Sequence, residues 1–358
     1  MNMLRRVSLG RLLLGCGLTI GFGAALAALA LALGGGPKPP AKPLPRAIHD
    51  ALQGGSTAGF SANVRLTNHL VEGAQLASGS SDEGGLASSP LLSGASGRVW
   101  VSADGRLRLE LQAEKGDTQI IYDGSKLSMY DASTNTLYVL KAPQPEHMGG
   151  AKQDAHAHHP ASLSDIEEAI AHLEKRATVS GATPTNVGGQ PAYTVRVAPK
   201  EGGSLFGGVE LSFDANHGLP LRAAVYSTQS SAPVIELAAS SVSYEAVPDS
   251  VFEVKPPANA TVEQLSLGRG STKKPDAAHK PKVTVHGHGP GAVAVIEGPA
   301  RGSQQLPPEL GHTKIGATTA GELKTELGTL LTFERSGVRY LLVGSVTPAA
   351  IEAVARGL

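Results

Sequence analysis

The feature that most constrains this chain is a repeated, short-range alternation of apolar and polar residues. In "RVWVSADGRLRLELQ", Leu107, Leu109 and Leu111 alternate with Arg106, Arg108 and Glu110, and Asp104-Gly105 separates this run from "RVWVS". A period of two sends successive side chains to opposite faces of a strand, and Asp-Gly is a tight-turn pair, so the stretch predicts a β-hairpin with one apolar and one wet face. The pattern recurs. In "FSANVRL", Phe60, Ala62, Val64 and Leu66 alternate with Ser61, Asn63 and Arg65. In "IIYDGSKLSMYDASTNTLYVL", Asp123-Gly124 ends one run, Leu127 and Met129 share a face of the next, and "DASTNT" turns into a third. Further strands are predicted in "AYTVRVAP", "GVELSFDANHGLPLRAAVYS", "VIELAASSVSYEAVP" and "VFEVKPP". Short strands joined by local turns make an antiparallel sheet. The composition agrees: 4% aromatics, 44 Gly and 24 Pro suit a loop-rich β protein better than a helical bundle.

Two segments read as helices of the main domain. "AIHDALQ" follows Pro45 and sets Ile48 and Leu52 four apart on one face. "SLSDIEEAIAHLEKRATV" is strongly amphipathic, with Ile166, Ile170 and Leu173 as its stripe and Ser164 and Glu167 at capping-box spacing. The tail holds a strand in "AVAVIEG", a hairpin in "GTLLTFERSGVRYLLVGS" and a closing helix in "TPAAIEAVARGL", with Thr347 as N-cap and Pro348 in the first turn.

The N-terminus is basic, with Arg5, Arg6 and Arg11, and is followed by an uncharged apolar run from Leu12 to Leu33. Crossing a bilayer takes ~20 residues, so this run is long enough to span. It serves either as a retained anchor, which its length favours, or as a signal peptide cut near Ala30 and Ala32. Both place the remainder outside the cytoplasm. "LLGC" around Cys16 has the look of a lipobox, but the apolar stretch before it is very short and is broken by Arg11. Cys16 is the only cysteine, so the exported part has no disulfide and is held by its core. The organisation expected is a membrane segment over 1–35, a Pro-rich spacer over 36–44, the main domain over 45–258, a Gly/Lys/His/Pro linker over 259–290 and a small module over 291–358. A Gly/Ser-rich excursion runs from about Asn68 to Gly97.

Several chemistries find no support. Formal net charge is +0 from 31 basic and 31 acidic residues, which argues against nucleic acid as a partner. No G-x-S-x-G elbow anchors a nucleophile, and no paired carboxylates sit at turns that would aim them at each other. "HGHGPG" lacks the strand-then-helix setting of a phosphate loop. His147, Asp154, His156, His158 and His159 cluster, and His279, His286 and His288 lie in the linker, but no rigid element fixes them and no Cys joins them. Neither an enzyme nor a metal or cofactor site is expected.

The ordered set "GFSANVRL", "YDGSKLSMYD", "AYTVRVAP", "VELSFDANHGLPLR" and "YEAVPDSVFEVKPP" resembles the LolA/RseB superfamily over roughly residues 44 to 260. More closely, the chain looks like the membrane-anchored LolA-like proteins of high-GC Gram-positive bacteria, and its tail resembles the extra C-terminal module of several relatives. The resemblance implies an α+β fold: a curved antiparallel sheet, an incomplete β-barrel, covered by helices, together with the N-terminal segment and a small C-terminal α+β module. It implies a cavity for lipid or lipoprotein acyl chains, or else an envelope regulator acting on a membrane-protein partner. The expected lining is Val64, Leu66, Val99, Val101, Leu107, Leu109, Leu111, Leu127, Met129, Val195, Val197, Leu211 and Phe213, with Ile166, Ile170 and Leu173 as the lid. These residues would alternatively fill a dry core. A retained anchor departs from the soluble carriers and favours a fixed binding or sensing role at the cell membrane.

Overall fold

A computed structural model describes residues 36–54, 58–70, 94–113, 116–132, 134–141, 162–253, 255–265, 282–300 and 310–358. The apolar N-terminal run and the cluster from His147 to His159 lie outside these residues, as does most of the Gly/Ser-rich excursion. Among the described residues no helix is long and apolar enough to cross a membrane.

The first element is helix α1 (Leu44–Gln53), followed by β1 (Gly59–Asn68). A meander comes next: β2 (Ala95–Ser102), β3 (Leu107–Ala113), β4 (Gly116–Tyr122), β5 (Lys126–Asp131) and β6 (Thr136–Lys141). Helix α2 (Leu163–Leu173) leads to β7 (Ala177–Val179), β8 (Thr183–Val187), β9 (Gln190–Pro199), β10 (Phe206–Asp214), β11 (Pro220–Ser227) and β12 (Pro233–Ser243). After a 3-10 turn (Asp249–Phe252) comes β13 (Thr261–Leu265). These thirteen strands form one sheet in the order β13-β6-β5-β4-β3-β2-β1-β12-β11-β10-β9-β7, with β8 also paired to β9. Among the described residues the sheet is open, ending in β13 and β7. Register shifts between Asn63 and Val64, and between Ser212 and Phe213, mark bulges, which bend a strand and increase its twist.

The rest of the chain builds a second sheet from β14 (Lys282–His286), β15 (Val293–Pro299), β16 (Gly311–Ile315), β17 (Thr318–Thr325), β18 (Gly328–Arg335) and β19 (Val338–Gly344), closed over by helix α3 (Pro348–Arg356). Val295, Ile315, Leu331, Leu342 and Ile351 are fully buried in its core. Thr347 is the N-cap of α3, with proline in its first turn. The two sheets meet at the β9–β10 loop: Leu205 N donates to Ser345 O at 2.7 Å and Ser204 Oγ to the same carbonyl at 3.0 Å.

Three details differ from the sequence reading. The capping box of α2 uses Ser162 and Asp165, not Ser164 and Glu167: Asp165 N donates to Ser162 Oγ at 3.2 Å, and Ser162 N to Asp165 Oδ2 at 2.9 Å. The helix stops at Leu173, and "ATV" leaves it as β7. The stretch read as a linker contains two strands, β13, pairing parallel with β6, and β14, pairing antiparallel with β15.

The Pro-rich stretch before α1 does not stand free as a spacer. Tyr193 Oη donates to Pro40 O at 2.7 Å, and Asn186 Nδ2 to Pro37 O at 3.0 Å, so this strap lies along β8 and β9. A salt bridge from Lys42 to Asp50, 2.7 Å, ties it to the helix it precedes.

Candidate functional site

Cross-strand partners share a face, so the register decides where each expected lining residue lies. One row runs Met129, Ile120, Leu109, Val99, Ala62 across β5 to β1. A parallel row runs Leu66, Leu237, Ala223, Leu211, Val195 across β1 to β9. Ala62 and Leu66 both sit at even positions of β1, so the two rows occupy one face. By strand alternation Val64, Val101, Leu107, Leu111, Leu127, Val197 and Phe213 share it.

This face is filled in one region and open in another. In the middle, Val64 and Leu111 are buried with Ala62, Val187, Ala192, Leu221 and Ala239, and Leu66, Val99 and Leu109 pack against them. Toward β5, Val101, Leu107 and Met129 are half-buried and Leu127 is exposed. At the β7–β9–β10 end, helices α1 and α2 cover the face. Phe213 makes the floor, Tyr193 packs against it with ring centroids 5.8 Å apart, and both are buried with Leu44, Ala47 and Ala51 of α1. Beside this floor lies an open groove of about 460 Å³. Its sheet wall is Val179, Val195, Val197, Val209 and Leu211; its helix walls are Leu44, Ile48 and Leu52 on α1 and Ile170 and Leu173 on α2. Ile166 of α2 is buried and does not line it.

Among the described residues no charged side chain lines the groove, and its rim is apolar: Leu52 is 56% exposed, Leu211 44%, Leu173 43% and Val209 36%. Of the residues expected from the sequence, the groove gathers Ile170, Leu173, Val195, Val197, Leu211 and Phe213. The others share the sheet face or, for Ile166, the helix. The contribution of α1 was missed, although Ile48 and Leu52 carried its signal.

The geometry of α1 depends on two close approaches. A Cβ on Gly54, just past the helix, would lie 2.1 Å from Asn216 O, and one on Gly218, which has φ +69°, would lie 2.6 Å from Ala51 O. The turn from Asp214 to Leu219 therefore seats directly against the end of α1. Asp214 is fully buried and holds this turn: it accepts from Asn216 N and His217 N, both at 2.7 Å, and from Tyr244 Oη at 2.5 Å. Burial, followed by the hydrogen bond to Asp214, pushes the Tyr244 phenol well above its usual range. His217 stacks on the Tyr244 ring at 4.1 Å.

The opposite face of β9 to β12 is polar. Arg222 donates to Glu236 at 2.8 Å and to Glu210 at 2.9 Å, and Tyr226 Oη donates to Glu210 at 2.7 Å. Arg196 reaches the same carboxylate at 3.2 Å while its guanidinium lies over the Tyr226 ring at 4.3 Å. Burial alone would raise the Glu210 carboxyl, but hydrogen bonds from Tyr226, Arg222 and Arg196 outweigh it and hold the group below its ordinary value. Among the described residues no cluster of His, Cys, Asp or Glu is placed to hold a metal ion.

Residues 77–199 match a family described as a predicted periplasmic protein, DUF2092, which agrees with an extracytoplasmic location. Comparison with curated proteins finds no match. Similar solved structures include the MucA/MucB complex of Pseudomonas aeruginosa, at 15% identity and a TM-score of 0.41 over 87% of this chain and 95% of that one. A conserved uncharacterised protein from Thermus thermophilus has 12% identity and a TM-score of 0.36, covering 62% of this chain and 98% of that one. A LolA superfamily protein from Nitrosomonas europaea has 10% identity and a TM-score of 0.20, covering 84% and 91%.

Proposed function

We propose that this chain is an extracytoplasmic, membrane-anchored LolA-like protein that holds lipid or lipoprotein acyl chains in the groove between α1, α2 and the β7–β9–β10 wall. It is a binding protein and not an enzyme. The observation that carries the reading is the groove itself: about 460 Å³ of space with no charged lining residue among the described residues, rimmed by leucines exposed to water. That volume falls within the ~300–1,000 Å³ of small-molecule sites.

The energetics select long chains. Each buried CH₂ gains ~0.8 kcal/mol. Association costs at least ~4 kcal/mol in lost freedom, so roughly five methylenes only break even, and useful affinity needs more. The same apolar face continues from Val64 to Met129, but Val64 and Leu111 are packed into its filled middle, so the groove alone is the proposed acyl-chain site. Native mass spectrometry of the detergent-purified full chain tests this: a bound acyl lipid is expected. Its absence, together with no uptake of fatty acid or lipopeptide after delipidation, would remove the carrier reading.

A second reading, an envelope regulator acting through a protein partner, has one observation in its favour. Edge strand β14 of the small sheet leaves Val283 59% and Val285 64% exposed. Among the described residues nothing pairs with the outer edge of β14, and an edge with apolar side chains can take a strand from another chain.

A further inference from the structure

The strap fixes how far from the bilayer the folded body can sit. Only Gly34, Gly35 and Gly36 separate Leu33, the last residue of the apolar run, from Pro37. Pro37 and Pro40 are bonded through their carbonyls to Asn186 of β8 and Tyr193 of β9. A chain advances at most ~3.6 Å per residue, so four steps from Leu33 to Pro37 span no more than ~14 Å. With the strap undocked, the eleven steps to Leu44 would reach ~40 Å.

We propose that the β8 end of the large sheet rests on the membrane surface, with the docked strap acting as a short tether. The inference depends on the anchor in the functional reading above and adds an orientation to it. The occupant of this surface is a lipid bilayer at its headgroup layer. The chemistry fits: β8 and its flanks present Ser180, Thr183, Thr185 and Asn186, hydroxyl and amide groups suited to hydrated headgroups, around a polar cavity of about 550 Å³ whose Arg196 and Arg222 are ion-paired with Glu210 in the same lining. Lys38 is exposed on the strap itself and carries the charge that attracts anionic lipid. The groove wall α1 begins at Leu44, directly after the strap, so an acyl chain leaving the outer leaflet has a short path to it.

The test uses the full chain in phosphatidylcholine/phosphatidylglycerol vesicles carrying a nitroxide on the lipid headgroup. Cys16→Ser removes the only native thiol, and Thr183→Cys, at an exposed position, takes an environment-sensitive dye. Strong quenching is expected at this position. Inserting ~15 Gly/Ser residues between Gly35 and Gly36 adds ~20 Å of root-mean-square reach and should abolish most of the quenching while leaving the strap docked. Undocking the strap with Asn186→Ala and Tyr193→Phe should reduce it too. Absence of quenching in a chain that resists alkaline extraction would overturn the orientation while leaving the anchor standing, as would equal quenching with and without the insert. Release of the chain by alkaline extraction would overturn the anchor and this inference with it.

Discussion

The hydroxyl of Tyr193 donates to the carbonyl of Pro40 at 2.7 Å, across 153 residues of sequence, while its ring packs against Phe213 under the groove. One side chain thus joins the entry of the folded body to the floor of its candidate binding site. Replacing Tyr193 by Phe keeps the ring and removes the bond. The expected loss is ~1 kcal/mol, the usual net worth of a hydrogen bond. Tyr193→Ala also removes the ring and should cost ~3–5 kcal/mol. Urea unfolding of both variants checks the order; equal losses would mean the bond contributes nothing.

Groove and core are separated by overpacking. Leu211 is 44% exposed on the groove wall, whereas Leu111 is 1% exposed in the central core. Leu211→Trp is expected to lower lipid uptake with an unchanged or raised melting temperature. Leu111→Trp should destabilise by ~1–3 kcal/mol or more, since a filled site must shift to admit the ring. Destabilisation by both, with undiminished uptake, would count against the groove as the lipid site.

The Glu210 cluster makes stability depend on acid. Its folded-state carboxyl titrates below its unfolded-chain value near 4.5. A depressed carboxyl contributes stability that is fully present above the unfolded value and is lost as pH falls through the folded one. The urea midpoint should therefore decline on acidification below pH ~4.5, and Glu210→Gln should flatten that decline. A decline of equal steepness in the variant would assign the acid sensitivity to other carboxylates.

Gly54 follows α1 with an ordinary φ of −57°, so its constraint is space alone. Gly54→Ala sets a methyl 2.1 Å from the Asn216 carbonyl and must push helix and turn apart. Destabilisation by ~1–3 kcal/mol is expected, together with weakened lipid uptake, because α1 is a groove wall. Thermal melts and a fluorescent fatty-acid titration read the two effects separately.

Most of the antiparallel framework was legible in the sequence, because period-two alternation and turns such as Asp104-Gly105 and Asp123-Gly124 are local signals. Face assignment followed from the same alternation, which is why the residues expected as lining, from Val64 to Phe213, fall on one face. What stayed hidden depended on distant partners. "TVEQL" is too short and polar to announce a strand, and β13 exists by parallel pairing with β6, more than a hundred residues away. The capping box was misplaced because Ser162–Asp165 and Ser164–Glu167 have the same spacing, and only the backbone decides between them. The strap was read as a spacer because proline content reports stiffness, whereas its docking depends on Asn186 and Tyr193, which nothing nearby reveals. The division of the apolar face into filled core and open groove is set by where α1 and α2 land.

Among the described residues the large sheet ends in strands of five residues at β13 and three at β7, with the five-residue β8 sharing that margin. An edge this short leaves few unpaired N–H and C=O groups for a second molecule to copy. Templated strand addition, the usual route from a broad open sheet to fibrils, has little backbone to start from here. The protein can therefore expose a leucine-rimmed trough to water while its widest hydrogen-bonding surface stays resistant to polymerisation.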